Sequence, residues 1–515
     1  MEAFLQPLQG LAEFEEIKKR CGANRGILNV SGCMESQKVH LMYGLSGLFP
    51  CHLILADDER NAKEIYEDYR FYDKNVYFYP AKDLLFFQAD IHGNLLIRQR
   101  MRVIRALLEQ EEVTVVTSID GCMDFLMPLE KIKSSLLHFK SDSVIDLDQL
   151  KADLVDLGYE RVGQVELPGQ FSVRGGIIDI YPLTEENPWR IELWDDEIDS
   201  IRSFDAESQR SLENIDEITI YPATEKMDCE DMVSFLDYFP EEKTLLFLDE
   251  LNHLAENGEG VEEEYHQSRM HREEKGEANL PEQWLCGFQE VQKKLNRRNC
   301  VAVSALSPRR SGWKINEEFD LTVKSVDSYN SSFELLVKDL LQYKSQGYRI
   351  ALLSGSRTRA ERLAKDLSEE GLNAFYSQDT DRIISPGEIM VVYGHARRGF
   401  QYPLIKFAVM TETDIFGKEQ KKRKKKKKYS GNRIQDFAEL SIGDLVVHEK
   451  HGLGIYRGIE KVEVDRVVKD YIKIEYRDGG NLYLPATRLE GIQKYAGSDA
   501  RTPKLNKLGG MEWNK

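Results

Sequence analysis

Cysteine pairs at metal-ligand spacing are missing from this sequence. The seven cysteines stand singly, at positions 21, 33, 51, 122, 229, 286 and 300. This spacing argues against a zinc ribbon and a disulfide framework, and it favours a reducing, cytoplasmic environment. Apolar runs long enough to cross a bilayer are missing too, and the first residues lack the basic and apolar segments of a signal peptide. We therefore expect a globular, cytoplasmic protein with no membrane partner.

An intact phosphate-binding loop, G-x-x-x-x-G-K-[ST], is also missing. The nearest match keeps Gly32 and Lys38 at the right spacing, but Gln37 replaces the second glycine and Val39 replaces the hydroxyl that would hold magnesium. Glu35 adds a negative charge where phosphates would lie. The pattern indicates a nucleotide-binding architecture without the site, and it favours an ordinary solvated role for Lys38 on a helix. A working variant loop is the alternative.

The acidic strand of nucleotide-binding folds is present, although the phosphate-binding loop that it works with is not intact. The run TLLFLDE ends in Asp249 and Glu250, and it resembles the acidic strand with which helicases orient magnesium-bound water. With no functional loop to bring ATP, the two acids have nothing to act on. We interpret them as polar residues at the end of a buried strand. The sequence thus predicts a chain with no catalytic residue and no bound ATP.

Net positive charge is scarce, because the formal net charge is −18. Such a balance argues against DNA binding by the whole surface. Lys418–Lys428 is the exception, with nine basic residues and one acidic residue. Self-repulsion favours an extended linker there. Two other uses stay open: weak contact of Lys421–Lys428 with nucleic-acid phosphates, and an interaction with the acidic remainder of the protein.

Apolar runs of strand length alternate with helical patterns over residues 24 to about 125, and again over 325–416. The predicted strands are Ile27–Val30, His52–Ala56, Val76–Tyr79 and Val113–Thr117 in the first region, and Arg349–Ser354, Glu388–Tyr393 and Lys406–Thr411 in the second. Alternation of this kind predicts parallel sheets covered by helices. In the second region, the turn from Gly355 to Arg359 is interpreted as a plain strand-to-helix connection, with an anion site as the alternative. His395 is interpreted as structural, since no nucleophile or paired acid lies near it in sequence.

Between these regions, Gln164 to Arg210 holds three predicted strands, separated by glycine and proline turns: Gln170–Val173, Ile177–Tyr181 and Trp189–Trp194. In the third strand, alternation places Trp189, Ile191 and Leu193 on one face. Arg190 and Trp194 then stand together on the other face. A tryptophan beside an arginine is typical of a protein-binding hot spot. The alternative is that Trp194 covers a neighbouring domain of the same chain.

Residues 436–497 contain short strand-like runs with glycine corners, which suggest an SH3- or Tudor-like barrel. Val462 lies at the end of the run Ile455–Val464, and the next residues, Asp465 and Arg466, are polar. An apolar residue at this place favours an exposed strand edge that can extend a partner's sheet, although packing in the barrel core is the alternative. His448 and His451 have no further ligands converging in sequence, so no metal site is predicted.

Two stretches carry a resemblance to known families. The segments PGQFSVRGGIIDIYP and PWRIELWDDEIDSIRSFD resemble the domain shared by UvrB and the bacterial transcription-repair coupling factors (Mfd), which docks onto UvrA. The resemblance implies that Arg174, Arg190 and Trp194 contact UvrA. The segment GDLVVHEKHGLGIYRGIE resembles the RNA polymerase-interacting domain of those factors and of CarD-type regulators. It implies that Ile459 and Val462 contact the polymerase β subunit.

The resemblance implies an α/β multidomain architecture. We expect a degenerate helicase-like domain with an inserted α+β domain, a second α/β domain and the C-terminal barrel. The expected boundaries are 1–129 and 213–324 for the UvrB-like domain, 130–212 for the inserted domain, 325–416 for the α/β domain, 417–435 for the basic linker, 436–497 for the polymerase-interacting domain and 498–515 for a connector.

In complete family members, the connector leads into a translocase motor that uses ATP and magnesium. The motor is absent from this sequence, so we expect either a fragment or a motor on another polypeptide. The resulting prediction is an adaptor that recruits UvrA to RNA polymerase stalled at DNA lesions. Two alternatives are kept: a UvrB-like ATPase and damage-binding helicase, which the broken loop disfavours, and a CarD-type regulator, which would not need the UvrA-docking surface.

Overall fold

The computed structural model describes residues 1–23, 25–82, 94–225, 231–275, 285–308, 312–417, 431–433, 442–448, 452–464, 467–477, 481–485 and 492–495. The basic run Lys418–Lys428 and the connector 498–515 lie outside these residues. The chain forms two compact units. One comprises Met1–Ala81, Val103–Leu129 and Cys229–Lys422, and the other comprises Lys82–Arg102, Glu130–Asp228 and Arg423–Lys515. The described elements confirm the predicted α/β class.

The first unit contains a large sheet whose strands are all parallel. In spatial order they are Ile315–Asp320, Gly26–Ser31, Asn299–Val303, Thr244–Asp249, Cys51–Ala56, Val113–Ser118 and Val76–Tyr79. Central strands of such a sheet are buried on both faces, which is why they read as short apolar runs. The sequence predicted all of them except Asn299–Val303 and Ile315–Asp320. Ile315–Asp320 lies at the sheet edge and alternates half-buried with exposed residues, so its sequence, INEEFD, lacks an apolar run.

Helices flank this sheet and begin with ordinary capping chemistry. In the helix Glu59–Tyr72, the side chain of Asp58 accepts a hydrogen bond from Asn61 N–H, and one apolar stripe is buried. The α-helices described before residue 300 are Glu2–Leu5, Ala12–Arg20, Glu35–Ser46, Glu59–Tyr72, Asn94–Glu109, Ile119–Cys122, Leu129–Ser135, Leu147–Asp156, Leu251–Lys275 and Phe288–Leu295. No helix among the described residues is both long and apolar enough to span a membrane.

A second sheet in the same unit has four parallel strands and an antiparallel edge. Its order is Lys324–Ser325, Phe400–Tyr402, Phe407–Thr411, Arg349–Ser354, Glu388–Tyr393 and Asn373–Tyr376. The α-helices Phe333–Ser345, Arg357–Glu369 and Glu412–Phe416 accompany it. Apolar side chains of this sheet, such as Val392 and Phe407, join those of the first sheet region, such as Phe4 and Val39, in one buried cluster. The two parallel sheets are therefore held together by a continuous apolar core.

The second unit contains the inserted sheet. Its order is Ser211–Asn214, Glu197–Phe204, Trp189–Trp194, Ile177–Ile180, Gln170–Arg174 and Glu160–Arg161, antiparallel except for the last pair. A separate two-stranded sheet pairs Glu217–Ile220 with Leu137–Lys140. The helix Leu147–Asp156 is capped by Asp146. The three strands predicted from the sequence are present, and Trp189–Trp194 has the predicted bounds.

The C-terminal part of this unit is a six-stranded antiparallel sheet. Its order is Gly431–Arg433, Ile492–Tyr495, Leu445–His448, Gly452–Val464, Val467–Glu475 and Asn481–Pro485. The predicted SH3- or Tudor-like barrel is not confirmed, because no pairing closes the two edges of the sheet within the described residues. A register shift lies between Tyr456 and Ile459, where Gly458 has a φ of 97°. This irregularity bends the long strand as a β-bulge does.

Candidate functional sites: the closed phosphate loop and the arginine face

The degenerate phosphate loop follows the strand Gly26–Ser31. Gly32 has a φ of 77°, and a Cβ atom there would lie 2.2 Å from the Leu321 carbonyl oxygen, so only glycine fits. The loop's amides are already used by the chain itself. Gly32 N–H donates to Ala305 O at 3.3 Å, and Cys33 N–H donates to Ser304 O at 3.1 Å. Amides of this kind cradle phosphates in a working loop, and these two point at carbonyl oxygens instead.

Lys38 is buried, and the expectation of a solvated lysine is wrong. Its Nζ atom lies 2.7 Å from Asp249 Oδ1 and 2.6 Å from Glu250 Oε1, and its side chain is 11% exposed. Burial alone would lower the pKa of Lys38, but the two carboxylates outweigh it and hold that pKa above its ordinary value. The lysine that would bind phosphate and the acids that would orient magnesium are therefore paired with each other.

The two acids have further partners within the protein. Asp249 Oδ2 accepts a hydrogen bond from Asn61 Nδ2 at 2.7 Å, and Glu250 Oε1 accepts one from Ala305 N–H at 2.8 Å. Asp249 ends its strand in the interior, as the sequence predicted, with its side chain 3% exposed. We call Lys38, Asp249, Glu250 and Asn61 the loop cluster. Any magnesium or phosphate would have to displace internal ion pairs to enter it.

The residue that breaks the loop motif has a structural use. Gln37 is fully buried; its Oε1 accepts from Met34 N–H at 3.0 Å, and its Nε2 donates to Tyr402 Oη at 3.0 Å. His40, one turn later, lies 3.0 Å from the same Tyr402 hydroxyl through Nδ1, while its Nε2 lies 2.9 Å from Phe4 O. The helix after the loop is thus packed against the second parallel sheet, where it contributes stability.

The inserted sheet presents the other candidate site. On adjacent strands, Arg190 lies directly opposite Asp179, and Asp179 lies opposite Ser172. Alternation then places Arg174, two residues after Ser172, on the same face. Trp189 and Ile191 point to the buried face, as the period of two predicted. We call the side of this sheet that carries the arginines the arginine face; its members are Arg174, Asp179, Arg190, Glu192, Trp194 and Arg202.

Asp179 lies at the centre of the arginine face with no exposed side-chain surface. Arg190 donates to it through Nε at 2.6 Å and Nη2 at 2.9 Å, and Arg174 donates through Nη2 at 2.7 Å. Arg190 also donates to Gln209 Oε1 at 3.2 Å, and its guanidinium lies 4.4 Å from the centre of the Phe204 ring. The hydrogen bond to Asp179 raises the pKa of Arg190.

The predicted contact residues differ in what they offer to a partner. The Arg190 side chain is 16% exposed, whereas that of Arg174 is 48% exposed. Trp194 is 80% exposed, which is exceptional for a large apolar side chain. The face therefore offers one open indole and one open guanidinium, with a second guanidinium held below the surface.

Sequence reasoning missed Asp179. One signal was available, because Asp179 interrupts the apolar run Ile177–Ile180, and a charge in the middle of an apolar strand needs a partner. The register of the strand pairs, which supplies that partner, is not visible in a single sequence. Phe204 and Gln209 were missed for the same reason.

The turn after Ser354 is occupied by an internal acid. Glu412 Oε1 accepts from Ser354 Oγ at 2.7 Å, and Glu412 Oε2 accepts from Gly355 N–H at 3.0 Å. The helix begins at Arg357, with Ser356 as its cap. A cleft of ≈ 500 Å³ lies at this place, lined in part by His395 and Arg359. Because a carboxylate already fills the position of an anion, the structure favours the plain connection over the anion site.

The predicted polymerase-contact residues lie on the long strand Gly452–Val464. Ile459 is half-buried and packs against a small apolar cluster that includes Tyr456 and Ile472. Val462 pairs with Lys469 of the neighbouring strand, and its side chain lies outside the described parts. From Ile459 to Val464 the strand pairs only with Val467–Glu475 within the described parts of the sheet, because Leu445–His448 pairs with Gly452–Ile455. One backbone edge of this segment has no strand beside it there.

Comparison with known proteins gives matches over both of these regions. Residues 137–225 match the UvrB interaction domain, and residues 440–496 match the CarD-like/TRCF RID domain. The chain is 30% identical over 560 aligned residues to a transcription-repair-coupling factor of Bacillus subtilis, covering 94% of the chain and 47% of that protein. It is 29% identical to the factor of the same name from Staphylococcus aureus, covering 86% of the chain and 42% of that protein. The chain thus spans about half the length of these relatives.

Proposed function

We propose that this chain, which carries the UvrB interaction domain and the RNA polymerase-interacting domain of transcription-repair-coupling factors, acts as the adaptor portion of such a factor. One end recruits UvrA for nucleotide excision repair, and the other holds RNA polymerase stalled at a DNA lesion. The observation that carries the proposal is the exposed Trp194 at the end of the arginine face, inside the region that matches the UvrB interaction domain.

The arginine face supports protein binding at the UvrA end. Exposed tryptophan and arginine dominate the affinity of many interfaces, because they bury large apolar area and form directional hydrogen bonds. Trp194 and Arg174 are the exposed members here, and Arg190 lies between Arg174 and Phe204 as a shielded third. We propose that these three residues form the UvrA-docking surface.

The edge of Ile459–Val464 that has no strand beside it in the described part of the sheet supports strand pairing at the polymerase end. An unpaired edge supplies backbone donors and acceptors to a partner strand, and side chains along it set the register. We propose that the segment around Ile459 and Val462 pairs with the polymerase β subunit. We also propose that the six strands of this sheet close into the SH3- or Tudor-like barrel, for which the bulge at Gly458 supplies a bend.

The contacts within the loop cluster support the proposal that the chain neither binds nor hydrolyses ATP. Lys38, Asp249 and Glu250 are engaged with one another, and the loop amides are engaged with carbonyl oxygens. This arrangement argues against the alternative of a UvrB-like ATPase. ATP and magnesium would then belong to the translocase motor of a complete factor. Weak phosphate contact by Lys421–Lys428 and a cytoplasmic location complete the proposal, on the basis of charge and composition.

A bridging experiment tests the adaptor proposal. RNA polymerase is immobilised, and UvrA is recovered from solution with or without the full chain. The parent should carry UvrA onto the polymerase. Trp194→Ala should keep the chain on the polymerase and lose UvrA, whereas Val462→Arg should lose both, because an unpaired charge in the strand contact costs several kcal/mol.

Leu212→Ala is the matched control for the UvrA end, since Leu212 is another exposed apolar residue of the inserted sheet, 53% exposed. It should leave both recoveries unchanged. Recovery of the polymerase complex without any UvrA from the parent chain would contradict the adaptor role and favour a CarD-type regulator.

A further inference from the structure

The arginine face contains an acid whose position is unusual for a protein-binding surface. Asp179 has no exposed side-chain area, yet both of its carboxylate oxygens accept hydrogen bonds from arginines of the face. Its Oδ1 accepts from Arg190 Nε, and its Oδ2 accepts from both Arg174 and Arg190. A single buried carboxylate therefore fixes two guanidinium groups that come from strands on either side of it.

The guanidinium group of Arg190 is fixed by contacts with several of the described residues. Two of its nitrogens bind Asp179, one of these also binds Gln209, and the ring of Phe204 lies below the guanidinium. Gln209 is fixed in turn by donating to the carbonyl oxygens of Ala206 and Val165. Such a guanidinium loses little entropy when a partner binds, since its orientation is already set.

We infer that Asp179 is a positioning residue of the partner-binding surface. It holds the guanidinium groups of Arg174 and Arg190 in the spacing that an acidic protein surface recognises. Arg174 makes the direct contact, and Arg190 acts mainly as the shielded support. This inference rests on the proposed function, because it assigns the acidic surface to UvrA.

Asp179 could instead affect partner binding only through its charge. A negative charge among arginines weakens the positive potential that attracts an acidic partner. If charge were all that mattered, Asp179→Asn would strengthen binding. If positioning matters, the same substitution releases both guanidiniums and weakens binding. The two explanations therefore predict changes of opposite sign.

Glu192 provides the matched control. It lies on the same face and on the same strand as Arg190, and its carboxylate pairs with Arg202 and Ser200. Glu192→Gln removes the same charge without touching the contacts of Asp179 with its two arginines. Its effect on UvrA affinity measures charge alone, and it should bind an acidic partner slightly more tightly than the parent does.

The experiment measures UvrA affinity by titration of the full chain, for the parent, Asp179→Asn, Glu192→Gln, Arg174→Ala and the double variant Asp179→Asn/Arg174→Ala. Asp179→Asn should weaken binding about tenfold or more, within the range for truncated interfacial charge pairs. In the Arg174→Ala background it should cost clearly less, because part of what it positions is gone. Tighter binding by Asp179→Asn, or equal loss in both backgrounds, would overturn the inference.

A second readout needs no partner. Phenylglyoxal modifies accessible arginines, and mass spectrometry locates the sites. In the parent Arg190 should react slowly, and Asp179→Asn should speed modification of both Arg174 and Arg190. Unchanged rates would overturn the positioning role. Faster rates with no UvrA binding by the parent would keep the positioning role and reject the proposed partner.

Arg190→Lys covers the case in which Asp179→Asn does not fold. It keeps the positive charge but cannot bind both carboxylate oxygens in a fork. Binding should fall about tenfold if positioning matters. Retention of parental affinity by this variant would overturn the inference.

Discussion

The loop cluster and the arginine face both join basic side chains to a buried acid, but they differ in how much side-chain surface stays exposed to a partner. In the loop cluster, Lys38 is 11% exposed and both of its carboxylate partners accept a further hydrogen bond from within the protein. On the arginine face, Asp179 is as buried as Asp249, yet Arg174 is half exposed and Trp194 stands open. Complete internal pairing makes a site structural, whereas pairing from one side only leaves a surface that a partner can use.

The largest expected effect comes from breaking the loop cluster. Lys38→Met leaves the buried Asp249 and the partly buried Glu250 without their cation, so it should lower the free energy of unfolding by about 3–5 kcal/mol. The measurement is hydrogen exchange along a urea series, read on peptides that cover Thr244–Asp249. Lys365→Met is the control, because Lys365 is 76% exposed and its pairing with Glu369 contributes little.

The triple variant Lys38→Met/Asp249→Asn/Glu250→Gln sharpens this result. It removes the charges together, so most of the lost stability should return. A cost below about 1 kcal/mol for Lys38→Met alone would show that the cluster does not stabilise the fold.

The next largest expected effect is the pH dependence of stability in the same region, which contains His40. Burial lowers the pKa of His40 to about 4, below its ordinary value of 6.5, in a site where it faces the hydroxyl of Tyr402 and the ring of Tyr72. The unfolded state then binds the proton more readily than the folded state between these values. Stability from neutral His40 is complete above about pH 6.5 and is lost as the pH falls towards 4, by about 3 kcal/mol.

His40→Gln has no titrating group, so its stability should fall less than that of the parent between pH 6.5 and 4. Urea transitions at each pH, read by pulsed hydrogen exchange on Glu35–Ser46, measure the difference. His138→Gln is the control, since His138 is exposed in the inserted domain. Parallel pH profiles for the parent and His40→Gln would refute the assignment.

Trp194→Ala tests the arginine face, where a large side chain is exposed to a partner. Removing an exposed indole should weaken UvrA binding by about 2 kcal/mol or more, while it should change the free energy of unfolding by less than about 0.5 kcal/mol. Titration with UvrA and thermal unfolding measure the two quantities. A large loss of stability with little loss of affinity would make Trp194 a packing residue.

The smallest expected effect comes from repairing the phosphate-loop motif. We expect that the repaired chain still does not bind nucleotide. Gln37→Gly/Val39→Thr restores the consensus phosphate loop, but Lys38 remains bound to Asp249 and Glu250. Calorimetric titration with ATP and magnesium should give no binding for the parent or for this variant. Micromolar binding by the repaired variant alone would mean that the loop sequence, and not the surrounding contacts, closed the site.

Local patterns in the sequence were sufficient for much of the fold. Strands such as Val76–Tyr79, Glu388–Tyr393 and Trp189–Trp194 have the predicted bounds, because burial on one or both faces leaves its period in neighbouring residues. The same alternation placed Arg190 and Trp194 on the outer face. The resemblance also predicted two domains, and residues 137–225 and 440–496 match the UvrB interaction domain and the CarD-like/TRCF RID domain.

Tertiary structure alone decided how the charged residues are used. Lys38 finds its carboxylate partner Asp249 at a separation of 211 residues, and Asn61 reaches the same acid from another helix. Asp179 is shared by two arginines only because three strands align in one register. Periodicity encodes which face of an element is buried, since that depends on near neighbours. It carries no record of which distant charge shares the interior, since that depends on how the elements pack.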